Sequence, residues 1–129
     1  MARTLVIDDD EASRRIVGGI LETAGHSVEY ACNGRSGTDL YAAESFDVVV
    51  VDLAMPGLNG LRTIIELKAL DDGARLIAMS GASADQLDLA ERFGARRAMR
   101  KPVEAQALRE AVDELARDPR ANGWDCVAD

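Results

Sequence analysis

Cysteine and histidine are nearly missing from this chain of 129 residues, which has two of the first, Cys32 and Cys126, and one of the second, His26. The cysteines have neither metal-ligand spacing nor the density of a disulfide scaffold, so zinc modules and small secreted folds are excluded and a reducing, cytoplasmic setting is expected. No cluster of His, Cys or carboxylate surrounds His26 in sequence, and it reads as a surface or strand-edge residue without a ligand or catalytic role. Long apolar runs are also missing. Met1-Ala2-Arg3-Thr4 leads into only three apolar residues before a run of acids, unlike a secretory signal, and no stretch approaches the roughly 18 residues of a membrane span. Basic residues are outnumbered, 15 Lys and Arg against 23 Asp and Glu, for a formal charge of −8 and a pI near 4.6. A surface so acidic speaks against binding nucleic acid or an anionic membrane. Neither internal repeats nor low-complexity segments occur.

What remains is a composition of 47% apolar and 29% charged residues, which excludes disorder as a class. A chain of this length forms one domain and buries roughly two-thirds of its unfolded surface, enough for a core without staples. Short β-branched runs alternate with segments of helical period, the pattern of a parallel sheet covered by helices. Five strands are expected, at Thr4 to Ile7, Ser27 to Ala31, Val48 to Val51, Ala74 to Met79 and Arg97 to Arg100, the third of them apolar on both faces. The first helix presents Ile16, Val17, Ile20, Leu21 and Ala24 and ends at Gly25. Helices follow over about Gly34 to Glu44, around Leu61, Ile64 and Ile65, over Ala84 to Phe93, and over about Val103 to Arg117. Residues 1–117 thus form the domain and 118–129 a loose tail carrying Trp124.

In an open parallel sheet, ligands bind beyond the carboxyl ends of the strands, where the strand order reverses. Asp8, Asp9, Asp10 and Glu11 follow the first strand, Asp52 the third, Ser80 and Gly81 the fourth, and Lys101-Pro102 the fifth, with no such groups expected at the amino ends. Taken singly, each has an ordinary use as helix cap, turn residue or solvated lysine. Their joint placement on one rim is what points to a site. Carboxylates about 4 Å apart repel by roughly 4 kcal/mol per pair at an effective dielectric near 20, so Asp8, Asp9 and Asp52 need a counter-charge. A hard divalent cation such as Mg²⁺ suits them, since it takes one or two carboxylates, waters and a phosphate oxygen. With Mg²⁺ and Lys101 present the charges of the three carboxylates cancel, and an acyl phosphate on Asp52 would leave only about −1. Ser80 and Lys101 would hold phosphoryl oxygens, in a transfer that depends on positioning and charge.

At this point the residues resemble a known family, the receiver domain of two-component response regulators. Leu5-Val6-Ile7-Asp8-Asp9-Asp10, Val51-Asp52-Leu53-Ala54-Met55-Pro56-Gly57-Leu58-Asn59-Gly60, Ala78-Met79-Ser80-Gly81 and Arg100-Lys101-Pro102 carry the likeness, which spans nearly the whole chain. It implies a doubly wound α/β fold, a five-stranded parallel sheet of flavodoxin-like order 2-1-3-4-5 with helices on both faces. It further implies that Asp52 accepts phosphate from a phosphohistidine on a sensor histidine kinase or histidine phosphotransfer protein. Asp8, Asp9, Asp52 and the backbone carbonyl of Ala54 would hold Mg²⁺, Ser80 would report phosphorylation, Lys101 would stabilise it, and the Lys101-Pro102 bond would be cis. The resemblance does not imply turnover of a small molecule.

Two departures from the family pattern set expectations of their own. Ala98 stands where an aromatic is common, so switching is expected through the loop from Ser80 to Asp85, with Gly81 and Ala82 supplying freedom, and not through a ring. Ala54 and Ala82 are small, and open access for water suggests a labile phosphoaspartate. The stretch from Arg92 to Lys101 is free of acids, and Arg96, Arg97 and Arg100 form either a solvated face or a docking surface for an acidic partner. Arg14 and Arg15 either contact a kinase or balance Asp10 and Glu11 at helical spacing. A free-standing signalling protein is expected, acting through an unknown downstream protein, onward phosphotransfer, or a weak homodimer. Two rivals remain. A small phosphatase of the haloacid dehalogenase type would use Asp8 as nucleophile, although Ala12 replaces its usual Thr or Val; a receiver-like binding module would work without phosphorylation.

Overall fold

The computed structural model describes residues 1–54, 59–81 and 84–117. Strands and helices alternate without exception: β1 (Arg3–Ile7), α1 (Glu11–Thr23), β2 (Ser27–Ala31), α2 (Gly34–Ala43), β3 (Val48–Asp52), α3 (Asn59–Leu70), β4 (Leu76–Ser80), α4 (Ala84–Phe93), β5 (Arg97–Arg100) and α5 (Ala105–Arg117). The five strands form one sheet in the order β2-β1-β3-β4-β5, every neighbouring pair parallel. This is the doubly wound topology that the alternating pattern and the family resemblance implied.

Strand periodicity sorts the core into two layers. Leu5, Ile7, Val49, Val51, Leu76 and Ala78 face Ile64 and Leu67 of α3 and Ala90 of α4. Their sequence neighbours Val6, Val48, Val50, Ile77 and Met79 face Val17 and Leu21 of α1 and Leu108, Val112 and Leu115 of α5. The four valines of β3 are all fully buried, because helices cover both faces and leave no solvated side for a polar residue. Each buried Leu or Ile contributes about 1.5–3 kcal/mol, so this double layer is the main source of stability.

The turns that aim the functional rim are set locally. Asp10 caps α1 by accepting the Ser13 N–H at 2.9 Å, and Asn33 caps α2 by accepting that of Ser36 at 2.7 Å; both satisfy donors left open in a first helical turn. Gly25, at φ +95°, ends α1 in the left-handed region that glycine reaches without strain.

Several details differ from the sequence reading. Ile16, placed on the apolar face of α1, is 62% exposed, and Ile65 of α3 is 47% exposed. Each sits at the edge of an apolar stripe already filled by a neighbour, Val17 in one case and Ile64 in the other. β4 starts at Leu76 and α5 at Ala105, two residues later than expected in both cases. His26 is buried rather than exposed. Its Nδ1 accepts the Ala2 N–H at 3.0 Å and its Nε2 lies 3.0 Å from Asp113, tying the start of β1 to α5. The amino ends of the strands also hold charged groups, all used internally. Arg3 pairs with Glu44 and covers the Phe46 ring, its N–H donates to Asp47 at 2.8 Å, and buried Arg75 donates to the Ala116 carbonyl at 3.1 Å. The expected tail of 118–129, with Trp124 and Cys126, lies outside the described residues, as do Met55 to Leu58 and Ala82.

Candidate phosphoacceptor and metal site

The strand order reverses between β1 and β3, and the carboxyl ends of these two strands deliver the acids. Asp8 follows β1 by one residue, Asp9 comes next, and Asp52 is the last residue of β3. One carboxylate oxygen from each of the three lies within 4.8 Å of the other two, with Asp8 and Asp52 buried and Asp9 exposed. Ser80 ends β4 and is fully buried. Lys101 follows β5, and its backbone N–H donates to the Ser80 carbonyl at 2.9 Å, which carries the β4–β5 ladder up to the rim. The Lys101-Pro102 peptide is cis.

Each buried acid is held in the same way. Asp8 Oδ1 accepts the Asp10 N–H at 2.9 Å, and Asp52 Oδ1 accepts the Ala54 N–H at 3.0 Å. Their Oδ2 atoms both face Lys101, whose Nζ lies 3.3 Å from Asp8 and 3.2 Å from Asp52. Burial pushes the Asp52 carboxyl up; the Ala54 N–H opposes this, and the negative charge of Asp8 adds to it, leaving a net rise. Burial also pushes Asp8 up, but the Ser13 hydroxyl, the Asp10 N–H and the Lys101 ammonium together hold it below the ordinary value. Asp8 is therefore the more acidic of the two. Lys101 is lowered by burial and raised further by Asp52 and Asp8, so it stays charged.

The glycine of the Asp52 to Gly60 spacing has a steric cause. A Cβ at Gly60 would run into Leu53 Cα and lie 2.7 Å from the Asp52 carbonyl oxygen. Only glycine lets the start of α3 pack directly on the exit of β3. Gly81 is different, since among the described residues a Cβ there would meet only Lys101 Cβ, at 3.8 Å.

Ser13 and Arg14, in the first turns of α1, both act on Asp8: the Ser13 hydroxyl helps to hold its carboxyl below the ordinary value, and Arg14 Nη1 donates to its carbonyl at 2.7 Å. The sequence reading missed Ser13 and gave Arg14 a different use; only its helical offset from Asp8 could have signalled either. Arg15 does balance Glu11, at 3.3 Å. In the basic stretch, Arg97 pairs with Glu114 of α5 and donates to the Arg96 carbonyl at 3.0 Å. Arg96 is half-buried and Arg100 exposed.

The arrangement is thus an acidic, oxygen-lined hollow with one fixed ammonium and a buried hydroxyl beside it. Comparison with known proteins decides its family. The family model for the response regulator receiver domain matches residues 4–113. The chain belongs to that family. It is 34% identical over 118 residues to the protein PilH of Pseudomonas aeruginosa, covering 89% of this chain and 98% of PilH. It is 38% identical over 119 residues to the sensory/regulatory protein RpfC of Xanthomonas campestris, covering 88% of this chain but only 16% of RpfC. The solved receiver domain from Clostridium thermocellum superposes with a TM-score of 0.84 at 30% identity, covering both chains in full. This receiver domain is a phosphoacceptor of two-component signalling. Among the described residues, no helix is long and apolar enough to cross a membrane.

Proposed function

We propose that Asp52 is the phosphoacceptor of this receiver domain, taking a phosphoryl group from a phosphohistidine of a sensor histidine kinase or histidine phosphotransfer protein. The observation that carries the reading is the convergence of Lys101 and the Asp8, Asp9 and Asp52 carboxylates on one point at the reversal of strand order. The donor set fits Mg²⁺: it is all oxygen, two acids are fixed by backbone N–H groups, and exposed Asp9 leaves a side open for water. Asp8, Asp9, Asp52 and the Ala54 carbonyl would hold it. When bound, the ion supplies positive charge that keeps these carboxylates ionised and offsets charge on the phosphoryl oxygens.

The protein's own part is positioning. An Asp52 carboxylate oxygen forms the new P–O bond as the P–N bond of the phosphohistidine breaks, and the imidazole leaves with the electron pair. Lys101 then pairs with one phosphoryl oxygen in place of the Asp52 oxygen it faces, and Ser80 donates to another. The partner reaches this rim beside a groove of about 430 Å³ lined by Ala12, Ser13, Ile16, Lys101, Pro102 and Val103. Exposed Ile16 and the apolar edges of Pro102 and Val103 give a protein donor something to bury next to the acceptor. Arg100, exposed at the end of β5, offers positive charge to an acidic downstream partner.

Ala98 packs against the core on the α3 and α4 side and has no ring to move, so the signal leaves through the segment after Ser80. The exposed Ala54 side chain leaves the phosphoryl open to water and the phosphorylated state short-lived. The domain acts in the cytoplasm as a signalling module without small-molecule turnover.

The deciding experiment is phosphorylation by a phosphorylated histidine kinase, with the aspartyl phosphate trapped by borohydride reduction and located by mass spectrometry. Label at Asp52, abolished by Asp52→Asn, is expected. Label at Asp8 would instead make the protein a haloacid dehalogenase-type phosphatase, and no label at all would leave a phosphorylation-independent binding module. A pull-down with and without beryllofluoride then identifies the downstream partner.

A further inference from the structure

From its contact with the β1–α1 turn, we infer that Arg14 is a positioning residue for cation binding, acting through the Asp8 carbonyl. This rests on the reading of Asp8, Asp9 and Asp52 as divalent-cation ligands. The last paired residues of β1 and β2 are Ile7 and Ala31, so at Asp8 the chain leaves the ladder and turns into α1. Within that turn a buried acid and an exposed acid, adjacent in sequence, must aim at one point. In strands, adjacent side chains point to opposite faces; the turn has to undo that alternation.

Four contacts fix it. The Asp10 N–H donates to Asp8 Oδ1 at 2.9 Å, the Asp10 carboxylate caps Ser13 at 2.9 Å, the Arg14 N–H donates to the Asp10 carbonyl at 3.0 Å, and Arg14 Nη1 donates to the Asp8 carbonyl at 2.7 Å. The last is the one contact of the four made by a charged donor, and it clamps the peptide between the two acids. Arg14 and Arg15 stand side by side on α1, yet Arg15 is exposed and, among the described residues, pairs only with Glu11. That difference makes Arg15 a built-in control.

The sign of the effect separates positioning from charge. Removing a positive side chain near an acidic hollow raises cation affinity if only Coulomb attraction matters. Loss of a group that orients a ligand lowers it, typically by tenfold or more. Titration of the full chain with Mg²⁺ and with Mn²⁺ by isothermal calorimetry is expected to show affinity reduced about tenfold in Arg14→Gln and partly restored in Arg14→Lys, which keeps one charged donor. Arg15→Gln should leave affinity unchanged or slightly raised. Amide shifts of Asp9 and Asp10 in metal-free protein should move in Arg14→Gln and not in Arg15→Gln. Saturable binding by the wild type with unchanged or tighter binding by Arg14→Gln would overturn this inference alone. Absence of saturable binding by the wild type would overturn the cation reading and this inference with it.

Discussion

Lys101 reaches Asp52 across an intervening strand, its Nζ 3.2 Å from Asp52 Oδ2 although β4 separates β5 from β3. The same nitrogen lies 3.3 Å from Asp8 Oδ2, so one ammonium is shared by two buried acids that a divalent cation would also claim. Ammonium and cation therefore compete for the same oxygens. Lys101→Met is expected to tighten Mg²⁺ binding by about tenfold, as removal of a like charge at a few ångströms implies, while reducing the yield and output of the phosphorylated state. Calorimetry and phosphorylation assays on the same variant read these opposite changes. Weaker Mg²⁺ binding would show that Lys101 shapes the hollow rather than competing for it.

Asp52 costs the metal-free fold stability because its charge is buried beside Asp8. Its carboxyl is raised above the ordinary 3.8, first by burial. A raised carboxyl disfavours folding once the unfolded chain ionises: the cost is absent below about pH 3.8, grows as pH rises through the folded-state value, and is complete above it. Asp52→Asn should accordingly stabilise the protein in EDTA at pH 7 by about 1–2 kcal/mol, and the gain should vanish below pH 3.8. Urea denaturation at the two pH values checks this; a variant less stable than wild type at pH 7 would contradict it.

Gly37 of α2 shows that packing behind the rim is equally strict. A Cβ there would overlap Ile7 Cδ1 and lie 2.8 Å from Cγ1, pushing on the residue just before Asp8. Alanine ordinarily favours a helix interior over glycine by about 1 kcal/mol, yet Gly37→Ala should destabilise by about 1–3 kcal/mol through overpacking. Adding Ile7→Val removes the Cδ1 methyl and should recover part of the loss. Additive destabilisation in the double mutant would place the strain elsewhere.

How far the sequence could be read follows from which signals are local. The unbroken Val48 to Val51 run showed a strand buried on both faces, and the acids at Asp8 and Asp52 showed which strand ends matter, because periodicity and strand-end position are written in consecutive residues. Ile16 misled because helical period marks a broad stripe, and only the packing of α1 on the sheet decides which edge of that stripe is left outside. The burial of His26 depends on Asp113, 87 residues away. Arg97 reads as part of a basic surface because its partner Glu114 lies on α5, an element apart from its own strand. Gly60 stood in the motif, but its cause, the backbone of Leu53, appears only once α3 is packed against β3.

Ile16 gives the sharpest separation of docking from chemistry. At 62% exposure it contributes little to the core, and a polar substitution there should change stability by no more than about 0.5 kcal/mol. It nevertheless lines the groove beside Lys101, where the proposed docking of a phosphohistidine-bearing protein would bring its phosphorus to Asp52. A small phosphodonor such as acetyl phosphate needs no such surface. Ile16→Asp should therefore slow phosphotransfer from a histidine kinase or phosphotransfer protein by about tenfold or more, the loss expected when an apolar anchor worth over 1 kcal/mol is removed from an interface. Labelling by acetyl phosphate should proceed at the wild-type rate. If both donors slow together, Ile16 acts on the acceptor site through α1; if neither does, the protein donor approaches from another side of the rim.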